Sequence, residues 1–136
     1  MNQLLVIRGK SGSGKSTLAK SLASMVSGAV VCEADQYFVN PIDGTYSFDV
    51  NRLGAAHHYC RSKFEQALQN KAPLIIVSNT NTTSREYQFY LDKAKECGYT
   101  TNVVVVENIH GTSNVHNVPE ETLQRQENNL RQSIQL

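Results

Sequence analysis

Cysteine is scarce in this sequence, and its spacing argues against a disulfide framework or a metal site. Cys32, Cys60 and Cys97 are widely separated, with no CxxC pair and no histidine at a ligand-like distance. A zinc site or a disulfide-stabilised fold is therefore not expected. We instead expect three reduced thiols in or near the core of a cytoplasmic protein.

A strong charge imbalance and a long apolar run are also lacking. The 136 residues include 13 basic and 12 acidic side chains, a net charge of +1. That balance does not predict an extended nucleic-acid-binding face, but it does not exclude a short polynucleotide end as a substrate. No apolar run approaches the roughly 20 residues of a membrane span, and no signal peptide is recognisable. We expect no membrane association, and the oligomeric state is not predicted.

Four short apolar runs, at residues 4–7, 29–32, 74–77 and 103–106, read as buried strands separated by amphipathic helical segments. This alternation predicts an α/β fold with a parallel sheet of about four strands and helices on both faces. The length suits one hydrophobic core, so residues 1–136 are expected to form a single domain.

The longest predicted helix begins after Asp49, which has the side chain of an N-cap. One of His57 and His58 is expected to face the core and the other the solvent. The apolar residues expected on the core face are Leu53, Cys60, Phe64, Ala67 and Leu68.

A glycine-rich segment after the first strand matches the pattern GxxxxGK(S/T) of a phosphate-binding loop. It consists of Gly9, Lys10, Ser11, Gly12, Ser13, Gly14, Lys15 and Ser16, followed by Thr17. The strand before it and the helix after it are the context that this pattern requires. Lys15 can reach the β- and γ-phosphates, Ser16 can bind Mg²⁺, and the helix N-terminus favours anions. Thr17 is expected to be structural or a minor phosphate contact. The pattern predicts a P-loop NTPase three-layer sandwich that binds ATP or GTP.

Two acidic residues follow the second strand, at the sheet edge where parallel α/β proteins bind ligands. Asp35 is placed to accept a proton from an attacking hydroxyl, the part that a catalytic aspartate takes in phosphoryl transfer. A loop or capping role is the alternative for Asp35. Glu33 is either a second acid or a surface residue.

The third strand ends without the acid that normally helps to hold Mg²⁺ in P-loop proteins. Asn79, Thr80 and Asn81 stand there instead, and can orient water, Mg²⁺ or Asp35 by hydrogen bonds. The alternative is a polar turn that caps the next helix, a role that suits Thr82, Thr83 and Ser84. The polar segment 107–118 is the expected lid, but it contains no arginine or lysine. His116 and, on the following helix, Arg125 are the candidates for lid or substrate contacts, alongside Lys10, Arg52 and Arg85, each of which can equally be a solvated surface charge.

Five sequence motifs, which follow one another in the family's order, make the chain resemble the compact P-loop kinases related to polynucleotide 5′-kinases and to NEDD4-binding-protein-like kinase domains. The motifs are GKSGSGKST (9–17), ADQYF (34–38), TYSFD with LGAAHHYC (45–60), NTNT (79–82) and NVHNVPEET (114–122). The resemblance implies that Asp35 is the general base, that Lys15 and Ser16 contact phosphate and Mg²⁺, that 79–81 form a polar active-site turn and that His116 is a lid residue.

Two departures from the family pattern concern charge. Members usually carry an aspartate in the turn after the third strand, where this chain has Ser78 and Asn79. Polynucleotide kinases carry arginines in the lid, and residues 107–118 contain none.

The leading hypothesis is an ATP- and Mg²⁺-dependent kinase that phosphorylates a hydroxyl, with a polynucleotide 5′-end among the acceptors. The alternatives are a kinase for a nucleoside, sugar or antibiotic, which the low net charge favours, and a nucleotide-binding module with little transferase activity.

Overall fold

The computed structural model describes residues 2–10, 12–80, 84–107 and 120–133. Within these ranges the strands are β1 (Gln3–Arg8), β2 (Val30–Cys32), β3 (Leu74–Ser78) and β4 (Thr100–Val105). They form one parallel sheet in the order β2-β3-β1-β4. The helices are α1 (Lys15–Ser24), α2 (Leu53–Gln69), α3 (Ser84–Glu96) and α4 (Glu120–Ser133), with 3-10 helices at Ala34–Phe38 and Val50–Arg52. The predicted parallel α/β arrangement is confirmed.

One face of the sheet is covered by α1. Alternate residues of the strands point to opposite faces, and on this face Ile7 and Ile76 are fully buried against Ala19. Leu18 and Leu22 extend the same apolar stripe at helical spacing. Helix α1 begins directly after Gly14, so this packing fixes the position of the phosphate-binding loop relative to the sheet.

The other face carries the larger core, formed with α2 and α3. Phe64 of α2 is fully buried and meets the ring of Tyr90 edge to face, with 5.0 Å between the centroids. Leu4 and Val6 of β1 and Ile75 of β3 belong to the same cluster. Burial of this many apolar side chains is the main stabilising contribution to such a sheet.

The core face of α2 differs from the sequence prediction in one turn. Leu53 is 38% exposed, whereas Ala56 is fully buried. The helix proper begins only at Leu53, after a 3-10 turn in which Asp49 Oδ1 accepts the N–H of Asn51 at 3.0 Å. The first turn of α2 is therefore mostly exposed to solvent. His57 and His58 are both exposed, so the expectation that one of them faces the core was wrong.

Strand β4 is an edge strand, and it is less buried than its sequence suggests. Val103 and Val104 are 40% and 38% exposed, because β4 has a neighbouring strand on one side only within the described residues. Cys97, just before it, is also exposed, so the expectation of three thiols in or near the core was wrong for Cys97 and is confirmed for Cys32 and Cys60. None of the helices in the described ranges has the length and apolar character needed to span a bilayer.

Candidate functional site

The glycine-rich segment forms a compact loop between β1 and α1. Gly12 and Gly14 have φ angles of 81° and 98°, in the left-handed region that glycine adopts without strain. Gly9 is buried, and a Cβ there would lie 2.7 Å from Ser13 Oγ and 2.8 Å from the carbonyl oxygen of Val106. The glycines thus permit a backbone path that other residues would block. Ser11 lies outside the described residues.

Lys15 is half-buried at the start of α1, and its Nζ donates to the carbonyl of Lys10 at 2.9 Å. Burial lowers the pKa of Lys15 to about 8, while the nearby carboxylates of Asp35 and Glu33 act in the opposite direction. The ammonium group is therefore held inside the loop, with both acids that follow β2 within electrostatic reach. Because a buried charge costs free energy unless it is paired with an opposite charge, this position of the ammonium group favours a bound anion.

Ser16 connects the loop to the first of these acids. Its Oγ donates to Oε2 of Glu33 at 3.1 Å. Glu33 is only 8% exposed, and this burial raises its pKa, which the hydrogen bond from Ser16 opposes. Of the two sequence interpretations, a surface residue is ruled out for Glu33. The signal in the sequence was its place directly after a buried strand.

Asp35 lies on the 3-10 helix Ala34–Phe38 and is exposed. The hydroxyl of Tyr46 donates to its Oδ1 at 3.3 Å. Tyr46 reaches it because residues 39 and 46 form an antiparallel bridge. Burial, together with the charge of Asp35, raises the pKa of Tyr46 to about 12. Sequence reasoning did not single out Tyr46 as a site residue, although it lies in the TYSFD motif.

The polar turn after β3 is hydrogen-bonded both to the segment that carries the two acids and to the phosphate-binding loop. Asn79 Oδ1 accepts the N–H of Ala34 at 2.8 Å, and Asn79 Nδ2 donates to Sγ of Cys60 at 3.6 Å. The carbonyl of Thr80 accepts the N–H of Gly9 at 3.1 Å. Asn79 and Thr80 are therefore brought to the site as connecting residues, while Asn81 lies outside the described residues.

Residues 108–118 of the predicted lid, with His116, lie outside the part of the chain that the structure describes. Arg125 is an exposed residue of α4. Arg52 is exposed and donates to the hydroxyl of Tyr37 at 2.9 Å. A basic residue that sequence reasoning passed over is Arg8, which is 3% exposed at the end of β1, with its guanidinium 4.6 Å from the centroid of the Tyr87 ring.

The oxygen atoms at the start of α1 suit a hard cation. Mg²⁺ prefers a small number of hydroxyl and carboxylate ligands together with water and substrate phosphates, and Ser16 and Glu33 supply one group of each kind. Across the described ranges no cluster of three or more histidine, cysteine or acidic residues could hold a metal by itself. A cation here would therefore need the phosphates of a nucleotide as further ligands.

Comparison with known proteins agrees with this geometry. A family model described as an AAA domain matches residues 4–132. Human NEDD4-binding protein 2 is 36% identical over 96 residues, which cover 71% of this chain but 5% of that protein. The chain thus corresponds to a small part of this curated relative.

Solved structures of low sequence identity share the fold. A chain of the Pnkp1/Rnl/Hen1 complex is 21% identical with a TM-score of 0.58, covering 91% of this chain and 38% of that one. The Mycobacterium tuberculosis APS kinase CysC in complex with AMPPNP and APS is 15% identical with a TM-score of 0.53, covering 93% and 68%. The architecture is therefore a kinase-like P-loop fold.

Proposed function

Because the chain belongs to the P-loop kinase-like family whose model is described as an AAA domain, we propose that it is an ATP-dependent kinase, a single domain over residues 1–136. It transfers the γ-phosphate of ATP to a hydroxyl acceptor. The carrying observation is the exposed carboxylate of Asp35 within electrostatic reach of Lys15. A base on one side and a phosphate-binding cation on the other are the two groups that this transfer needs.

Each residue of the site has a part in this reaction. The main chain of residues 9–17 and Lys15 hold the phosphates and stabilise charge on the transferred group. Asp35 takes the proton of the acceptor hydroxyl. Ser16 would help to hold Mg²⁺, which would supply further positive charge to the phosphates of the nucleotide. Further positive charge would come from the lid at 107–118 or from α4, where His116 and Arg125 are the candidates.

The acceptor favoured by the family resemblance is the 5′-hydroxyl of a polynucleotide. The near-neutral charge of the chain (+1) instead favours a small hydroxyl substrate, such as a nucleoside, sugar or antibiotic. A nucleotide-binding module with little transferase activity is the third candidate, favoured by the lack of arginine and lysine in residues 107–118 and of an acid at the end of β3. Substitution of Asp35 distinguishes the nucleotide-binding module from the two kinases, because only a transferase needs a general base.

The test is transfer of labelled γ-phosphate to DNA and RNA oligonucleotides with 5′-hydroxyl ends, beside a panel of small hydroxyl compounds read out as ADP release. We expect Asp35→Asn to lower kcat by about 10²- to 10⁴-fold, the usual contribution of a general base. Asp92→Asn is the matched control, because Asp92 is an exposed residue of α3 whose Oδ1 bonds Gln88. Absence of product with every acceptor, or full activity of Asp35→Asn, would refute the proposal.

A further inference from the structure

We infer that Glu33 supplies the carboxylate of the magnesium site, in place of the acid that usually ends the third strand. This rests on the proposed function, since it assumes a nucleotide bound with Mg²⁺. In P-loop NTPases the metal is held by the loop Ser or Thr together with an acid from a neighbouring strand. The question is which residue provides that acid here.

Strand β3 cannot provide it. Its last residue is Ser78, which is 4% exposed and whose Oγ has no hydrogen-bond partner among the described residues. The next residue, Asn79, uses its amide oxygen on Ala34 and its amide nitrogen on Cys60. Neither side chain carries a negative charge, so a magnesium site built on this strand alone would lack a carboxylate.

Glu33 contacts the start of α1 from β2, which lies one strand further from β1 than β3 does. Strand β2 pairs directly with β3, with Cys32 opposite Val77, and Glu33 follows Cys32. Adjacent strands lie about 4.8 Å apart, and a glutamate reaches one methylene further than an aspartate. Its Oε2 accepts from Ser16 Oγ at 3.1 Å. The longer acid on the more distant strand thus contacts the metal-binding hydroxyl directly.

The carboxylate is fixed in this position by its surroundings. Glu33 caps the 3-10 helix Ala34–Phe38: its side chain accepts the N–H of Gln36, and the Gln36 side chain accepts the N–H of Glu33 at 3.3 Å. Gln36 is held in turn by Val31, at 3.2 Å, and by Lys63, at 3.0 Å. Such support is what orients the groups around a metal.

A purely structural role does not explain the choice of glutamate. Helix N-caps favour serine, threonine, aspartate and asparagine, and a glutamine at residue 33 would accept the same hydrogen bonds without a buried charge. Burying a carboxylate costs free energy unless a charged partner compensates it. The charges of Lys15 and Lys20 act on Glu33 in this direction, and a bound Mg²⁺ would add to them. Asp35 is exposed and bonds Tyr46, so the two acids have separate tasks: Glu33 toward the metal and Asp35 toward the acceptor.

The test measures metal-dependent nucleotide binding and not turnover. Fluorescent ATP is titrated into wild type, Glu33→Gln and Glu65→Gln, in EDTA and in Mg²⁺, and Mn²⁺ binding to the ADP complex is followed by electron paramagnetic resonance. We expect Glu33→Gln to lose about 10- to 100-fold in metal affinity while its affinity for ATP in EDTA equals that of wild type. Glu65 is an exposed residue of α2, and its variant should match wild type throughout.

Two further measurements keep the result unambiguous. Ser16→Ala should lose metal affinity as well, and adding Glu33→Gln to it should cost less than the two single effects combined, because the residues act together. Unchanged metal affinity in Glu33→Gln would overturn the inference and leave the kinase proposal standing. If the glutamine variant does not fold, Glu33→Asp replaces it, with the same expected loss and the same refuting outcome. Failure of wild type to bind ATP at all would refute both.

Discussion

At the scale of single residues, the site separates two acids that are almost adjacent in sequence. Glu33 is 8% exposed, whereas Asp35 is exposed to solvent. In a 3-10 helix successive residues are turned by a third of a circle, so an N-cap and the second helical residue point in different directions. One short segment can therefore present one carboxylate to the phosphate loop and another to solvent.

The depressed pKa of Lys15 predicts an alkaline limit to nucleotide binding. Since burial lowers that pKa to about 8, the ligand-free protein loses the ammonium charge above that pH. The affinity for ATP should then fall by up to roughly tenfold per pH unit between pH 8 and 9.5. Titration of fluorescent ATP at constant ionic strength measures this fall. Lys15→Met should bind weakly with little dependence on pH, and a flat profile for wild type would contradict the assignment.

Tyr46 is predicted to position Asp35. Tyr46→Phe removes the hydroxyl that bonds Asp35 at 3.3 Å but retains the ring beside Phe38, with 6.2 Å between the centroids. We expect kcat to fall about 10-fold, in line with one hydrogen bond to a charged group, with an unchanged KM for ATP. Steady-state kinetics measure both, and the exposed Tyr59→Phe is the control. A change in KM for ATP or in Tm without a change in kcat would indicate a structural role only.

At the scale of elements, the end of β3 controls the position of the acidic 3-10 helix. Asn79→Ala should leave the N–H of Ala34 without its acceptor and destabilise the fold by about 1–3 kcal/mol. The same change should lower kcat, since Asp35 follows Ala34. Urea unfolding and kinetics measure the two effects, with the exposed Asn102→Ala as control. Loss of stability with full activity would argue that this link does not position the base.

Two glycines make a matched test of the loop geometry. Gly9→Ala should destabilise the protein by about 1–3 kcal/mol and weaken ATP binding, because its Cβ would press on the main-chain oxygen of Val106 at 2.8 Å. Gly54→Ala, in the first turn of α2 with nothing within 4 Å of its Cβ, should stabilise it by about 0.5–1 kcal/mol. Thermal unfolding compares the two. Equal effects would mean that the close approach at Gly9 does not constrain the loop.

At the scale of the whole molecule, thiol reactivity reports the integrity of the core. Cys32 and Cys60 are buried, and burial raises the pKa of Cys32 to about 12 and that of Cys60 in the same direction. Cys97 is exposed. At pH 8, one thiol should react rapidly with a disulfide reagent in the native protein, and all three in denaturant. Cys97→Ser should abolish the rapid phase, and rapid reaction of a second thiol would contradict this core.

The sequence was sufficient for features that depend on neighbours along the chain. Apolar runs predicted the four strands, and the spacing of glycines and Lys15 predicted the loop. Features that depend on distant segments were not accessible. The burial of Glu33 depends on contact with Ser16, 17 residues away, and the bond between Tyr46 and Asp35 depends on how a loop folds back. Asp49 is an N-cap as predicted, but the segment after it begins as a 3-10 helix, Val50–Arg52, so that α2 proper starts only at Leu53.

The position of the two acids at the start of one short 3-10 helix, Glu33 as its N-cap and Asp35 within it, has a thermodynamic consequence. Glu33 caps this helix and Asp35 is its second residue, so a shift that moves one carboxylate moves the other. If Glu33 contacts the metal and Asp35 the acceptor, as proposed, a ligand on either side would favour the placement of the helix that suits the other. Any such coupling would be reciprocal, so that each ligand would strengthen the binding of the other by the same factor. An enzyme built this way would bind its two substrates cooperatively, with the metal as the intermediary.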